Sequence, residues 1–149
     1  MTYFRIHTSD IAYKTKMPMG LFVAVWKLIE KKLLTEDEEM EYWENRRYFE
    51  KVLPVPPYYE QGNPDGAVTW FKDTDDGKRI YKEMIFYRDM AKKYGLTLYI
   101  SECTEPPGEI IYEDAFQIAV IHPKSDASIS TRKMTGSEMV SKDEAFYCN

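Results

Sequence analysis

The sequence predicts an α+β fold in which about three helices pack on a mixed or antiparallel sheet. Two patterns predict it. Period-two apolar alternation marks residues 2–8, strand-like apolar runs recur at 67–72, 96–102 and 109–121, and apolar stripes at helical spacing lie between the strands. The element order adds a third reason, since it runs strand, two helices, long loop, strand, helix, then two or three strands. That order lacks the regular alternation of a parallel βαβ sheet.

TYFRIHT, residues 2–8, places Phe4 and Ile6 on one face and Tyr3, Arg5 and His7 on the other. MPMGLFVAVWKLIEKKLL follows with Leu21, Phe22, Val25, Leu28 and Ile29 on one stripe, and Pro18 is tolerated near the start of that helix. Thr35 and Glu38 form a capping-box pattern, so a second helix is expected to run through MEYWENRRYFEKV and stop at Pro54. Residues 54–66, PVPPYYEQGNPDG, read as an extended, polyproline-like loop closed by a turn at Asn63–Gly66.

AVTWFK, residues 67–72, has strand composition. After a DTDDG turn, one helix is expected from Gly77 to Tyr94, with Ile80, Met84, Tyr87 and Ala91 inward and Gly95 as its stop. LTLYISE is the next strand. In EIIYEDAFQIAVI a single continuous strand would leave one carboxylate, Glu113 or Asp114, among apolar neighbours on each face. The chain is therefore expected to break there, as a bend or bulge between two strand segments, because a tight primed turn prefers glycine. Residues 1–121 are read as one globular domain, and 122–149 as a polar C-terminal tail, mobile or carrying a late helix docked outside.

Twenty basic residues are scattered among 25 acidic ones for a net charge of −5, which argues against a nucleic-acid backbone as partner. Only Cys103 and Cys148 occur, without zinc-site spacing, and Cys103 beside Glu102 and Glu105 is read as structural. With His7 and His122 the only histidines, no metal site is expected. MTYFRIHTSD lacks a signal-peptide core and no long apolar window follows, so the expectation is a cytoplasmic protein without a membrane partner. The common phosphate-loop, dinucleotide, metalloprotease and hydrolase motifs are absent.

Several residues carry possible chemistry. Tyr3, Arg5 and His7 project together, either outward from an edge strand or into a cleft. Adjacent Tyr58 and Tyr59 on the stiff proline loop suit a protein partner, although the segment also serves as a plain crossover. Trp70 either fills core or stacks on a base, with Thr69 on the opposite face. Glu113 and Asp114 are either a structural kink or functional carboxylates.

The segments YFRIHTSDIAYKTKMPMGLF, YWENRRYFEKVLPVPPYYEQGNPDGAVTWFKD and YGLTLYISECTEPPGEIIYEDAFQIAVI resemble small uncharacterised proteins of Gram-positive bacteria and their phages, plasmids and conjugative elements. More distantly, the chain resembles the ADP-ribosyltransferase fold. That resemblance implies NAD as ligand, with Arg5 or His7 holding the dinucleotide, Thr69 and Trp70 on the middle strand and Glu113 as the catalytic carboxylate; on this alternative His7 joins Glu113 in catalysis, and Tyr3 and Asp114 are further ligand-binding candidates. The sequence departs from that family: Thr8 follows His7 where glycine is usual, and the STS and E-x-E or Q-x-E motifs are missing. The leading expectation is a protein-binding inhibitor or adaptor of a mobile element, such as an anti-defence protein, without a cofactor. The alternative is an ADP-ribosyltransferase-like or nucleotide-binding protein using Arg5, His7, Trp70 and Glu113.

Overall fold

Alternating Phe4 and Ile6 with Tyr3, Arg5 and His7 gives the first strand two usable faces, and the sheet is assembled around it. The computed structural model describes residues 1–13, 15–122 and 128–139. Its strands are β1 (Tyr3–Ile11), β2 (Pro18–Gly20), β3 (Val68–Lys72), β4 (Tyr99–Cys103), β5 (Glu109–Glu113), β6 (Gln117–Ile121) and β7 (Ile129–Lys133). Its helices are α1 (Leu21–Glu30), α2 (Glu36–Val52), α3 (Asp75–Glu83) and α4 (Ile85–Lys93). Among the described residues the strands form one sheet in the order β5-β6-β3-β1-β4-β7, with β2 beside β1. Every pairing is antiparallel, so the class is α+β.

The helices cover one face. Phe4, Ile6, Phe71 and Ile100 from the sheet join Leu21, Val25, Leu28, Tyr42, Phe49, Ile80 and Phe86 from the helices in one core. On the opposite face Tyr3, Val68, Trp70, Cys103, Ile118 and Val120 form a smaller cluster. Burial of side chains this large contributes about 1.5–3 kcal/mol each, and that burial holds the layers together.

Three boundaries differ from the sequence expectation. Pro18 lies in β2, not in the first helix, because Gly20 is extended (φ −68, ψ 163) and the helix starts only at Leu21. The helix expected over 77–94 is divided at Met84, whose ψ of 16 leaves the helical region. The apolar period continues across that break, so the pattern alone could not reveal it. Gly77 is required at the first turn of α3, since a Cβ there would sit 1.8 Å from the carbonyl oxygen of Lys72.

The expected tail is the third correction. Ile129–Lys133 pair with β4 from Tyr99↔Lys133 to Cys103↔Ile129, and Met134 donates its N–H to the Leu98 carbonyl at 2.9 Å. Met134 is buried in the main core, and Arg132 closes a two-pronged bond on Glu138 at 2.7 and 2.8 Å. Ser130, Thr131 and Arg132 are polar because they lie on an edge strand, and an edge strand with one wet side reads like a loop. The remainder of the expected tail, residues 123–127 and 140–149, lies outside the described residues.

Thr35 and Glu38 form the full capping box at the start of α2. Glu38 also accepts from Lys93 and Tyr94 at the end of α4, so one carboxylate closes two helix termini. Burial acts to raise its pKa, but the hydrogen bonds from Lys93, Tyr94 and the Thr35 backbone together outweigh it and bring the group down to about 2. A depressed carboxylate pKa stabilises the fold above the unfolded-state value and loses that contribution as pH falls through the folded one. Acid titration followed by circular dichroism should therefore show the Glu38 contribution intact above about pH 5 and declining towards pH 2, with Glu38→Gln flattening that dependence. Met134→Ala should cost about 2–5 kcal/mol in urea unfolding, whereas a residue in an undocked tail would cost nothing.

Candidate functional site

One edge of β1 is shared by two strands. β3 pairs with it only at Tyr3 and Phe4, and β2 takes over from His7. Arg5 occupies the gap between them, and its guanidinium lies close to Gly20, where an added Cβ would stand 3.5 Å from Nη2. A cleft of about 690 Å³ opens there. Its walls are Phe22 and Trp26 of α1, Arg46 and Phe49 of α2, Leu53 to Pro56 of the proline segment, and Thr69 and Phe71 of β3.

Arg5 is the charged group in this wall that stands without an acidic partner. Among the described residues no carboxylate pairs with it, and desolvation pulls its pKa down to about 10, opposed by the neighbouring Tyr59 phenol. Arg46, the other cation of the cleft, is already occupied. It contacts Glu50 at 3.3 Å and lies over the rings of Trp26 and Trp43 at 5.5 and 5.3 Å.

The proline segment supplies the polar side of the cleft. Instead of a uniformly extended loop it forms a 3-10 turn at Pro57–Gln61, ended by Gly62 at φ 77. The expected turn closes with Gly66 N–H donating to the Asn63 carbonyl at 3.1 Å. The Asn63 side chain also brackets Ala67, accepting from its N–H at 2.8 Å and donating to its carbonyl at 3.0 Å. This fixes the loop against β3, so that the Tyr59 and Thr69 hydroxyls meet at 3.1 Å. The Tyr58 ring packs on Tyr59 with centroids 4.9 Å apart, and its hydroxyl is buried with no hydrogen-bond partner among the described residues.

Arg5, Thr69 and Tyr59 thus share the cleft, and Tyr58 adjoins it. The other sequence candidates lie elsewhere. Trp70 is 2% exposed and packs with Tyr3 in the opposite-face cluster, so neither ring is open for stacking. His7 donates from Nδ1 to the Thr8 carbonyl at 2.7 Å, and its Nε2 meets the Ser101 hydroxyl at 2.7 Å. Burial lowers its pKa and favours the neutral ring, which accepts from Ser101 while Ser101 and Thr131 bond in turn at 2.7 Å. Cys103 is buried and its thiol pushed up to about 11 by desolvation, consistent with a structural role, although the cause is burial and not the flanking glutamates.

Glu113 and Asp114 part company. Glu113 ends β5 and pairs with Lys72 at 2.6 Å, with half of its side chain exposed. β5 and β1 are separated by β6 and β3, three strand spacings or roughly 14 Å, so Glu113 and His7 do not share a pocket. Asp114 starts the connection to β6 and accepts from the N–H groups of Phe116 at 2.8 Å and Gln117 at 3.1 Å. The two expected strand segments are present, but they meet in a hairpin with an Asx-type turn in place of the expected bend or bulge, because a carboxylate can satisfy the turn amides where glycine is lacking.

Gln117, which carried no signal in the sequence, binds that turn to the cleft. Its amide nitrogen donates to Asp114 at 3.0 Å and to the Pro54 carbonyl at 2.9 Å, and the residue is 3% exposed. Among the described residues no group of three or more His, Cys, Asp or Glu converges to hold a metal, and no helix is long and apolar enough to cross a membrane. Protein-family models, curated proteins and solved structures return no match to this chain.

The two acidic residues should separate under mutation. Asp114→Ala removes the acceptor for two turn amides and should cost about 2–3 kcal/mol in denaturant unfolding. Glu113→Gln removes the charge opposite Lys72, whose side chain is only 12% exposed, but keeps an amide oxygen as acceptor, and should cost about 1–2 kcal/mol, less than Asp114→Ala.

Proposed function

We propose that this chain is a protein-binding domain, an inhibitor or adaptor and not a catalyst, whose contact surface is the cleft beside Arg5 together with its rim. The supporting observation is the exposure of that rim. Val23 on α1 is 47% exposed, Val55 on the proline segment 59% and Tyr59 44%, and all three edge the same aromatic cleft. A ligand confined to the cleft would leave these apolar groups wet, whereas a protein surface covers the cleft and rim together. Stiff proline flanks and a ring-on-ring Tyr58–Tyr59 pair lose little entropy on docking.

The dinucleotide reading has weaker support. Its four residues would need a common pocket, but His7 is committed to Ser101, Glu113 to Lys72, and Trp70 to the opposite-face cluster, which leaves Arg5 alone in the cleft.

Photocrosslinking in cells of a Gram-positive host tests the reading. A benzophenone side chain at Val55 should give a discrete protein adduct that is lost in a Val23→Asp background, while the same group at exposed Glu36 on α2 should give none. Adducts of equal yield from both positions, or none from Val55, would sink it.

A further inference from the structure

We propose that Arg5, with the Tyr59 and Thr69 hydroxyls that share its cleft, is the receptor for a single carboxylate supplied by an aspartate or glutamate side chain of the protein partner. The inference rests on the docking reading above and names the chemistry at its centre.

A largely buried guanidinium without a carboxylate beside it is costly to keep, and structural arginines are ordinarily paired. The partner is missing among the described residues, while the fold leaves space for one: the gap between β2 and β3 exposes the guanidinium to the cleft. Gly20 borders that approach, and a Cβ there would meet Nη2 at 3.5 Å, an ordinary van der Waals contact. The Tyr59–Thr69 pair, bonded to each other, leaves one hydroxyl donor on the same wall, and the buried Tyr58 hydroxyl lies beside it.

Charge selects the class of anion. Arg46 is balanced by Glu50, so the cleft carries one uncompensated positive charge. One planar fork plus a hydroxyl donor matches the two oxygens of a monoanionic carboxylate, whereas a phosphate dianion needs more cationic charge than the cleft offers. Apolar rim on both sides, Val23 on α1 and Val55 on the proline segment, suits a segment that spans the opening and lowers one side chain inside. A chain end would leave half of the rim uncovered.

The full chain is used to select from two random dodecamer display libraries, one with both peptide ends fused and one with free C-termini. The fused library should yield peptides sharing one Asp or Glu flanked by apolar residues. Their affinity should fall about tenfold or more on Arg5→Met, the loss of one charge-assisted contact, with thermal stability unchanged or raised because a desolvated charge is gone. Should Arg5→Met fail to fold, Arg5→Lys keeps the charge and loses the planar fork, and the same fall in affinity is required of it. Selected peptides without a shared acid, or binding indifferent to Arg5, would overturn the carboxylate while sensitivity to Val55→Asp keeps the docking surface. Indifference to both variants, or no enrichment from either library, removes both readings. Enrichment only with free C-termini overturns the side-chain source. Stabilisation of wild type but not Arg5→Met by AMP or inorganic phosphate overturns the carboxylate in favour of a phosphate.

Discussion

The division of one edge of β1 between β3 and β2 is the constraint on which the rest of the structure depends. A strand paired along both whole edges would have closed the sheet over Arg5. Here β3 stops pairing after Phe4 and β2 begins at His7, so two residues of a central strand, Arg5 and Ile6, are left between two partners. α1 starts directly after β2, and its position is therefore set by the same gap. The cleft between α1, the proline segment and β3 follows from it.

Polar groups elsewhere in the molecule are satisfied in a way that sharpens this contrast. Glu38 takes donors from Thr35, Lys93 and Tyr94 and so fastens α2 to α4. Asp114 and Gln117 serve the β5–β6 hairpin and the Pro54 carbonyl together. His7 completes a chain of bonds through Ser101 to Thr131, across three strands. Each of these residues is chemically capable of work at a site, but each is consumed by the fold. Arg5 is not, and Arg46, which lies over the rings of Trp26 and Trp43 and is held by Glu50, is only partly available.

Two-sided burial of the sheet also explains why several sequence candidates lie away from the cleft. Trp70, Tyr3 and Cys103 lie on the face away from the helices, where they pack with Ile118 and Val120 into a second small core. An aromatic residue on a central strand is committed on one face or the other. Its neighbour in sequence, Thr69, points the opposite way and reaches the cleft. Alternation thus separates two residues that sequence proximity would group in one site.

Much of the fold was legible from local patterns: alternation in β1, the capping box at Thr35 and Glu38, the stop at Gly95, and the break between Tyr112 and Gln117. Each of these is decided by residues within a few positions of one another, whose propensities and hydrogen bonds act locally. The strand at Ile129–Lys133 was not legible, because a polar edge strand gains its order from β4, some thirty residues away, and not from its own composition. The candidate site divided in the same way. Sequence singled out Arg5, Thr69, Tyr58 and Tyr59 by residue type. It could not tell that these four gather at one gap while His7, Trp70 and Glu113 are spent elsewhere, nor that Gln117 and Gly20 belong beside them. Which side chains meet depends on strand order and register, and those are fixed by burial summed over the whole sheet, a quantity that no short stretch of sequence contains.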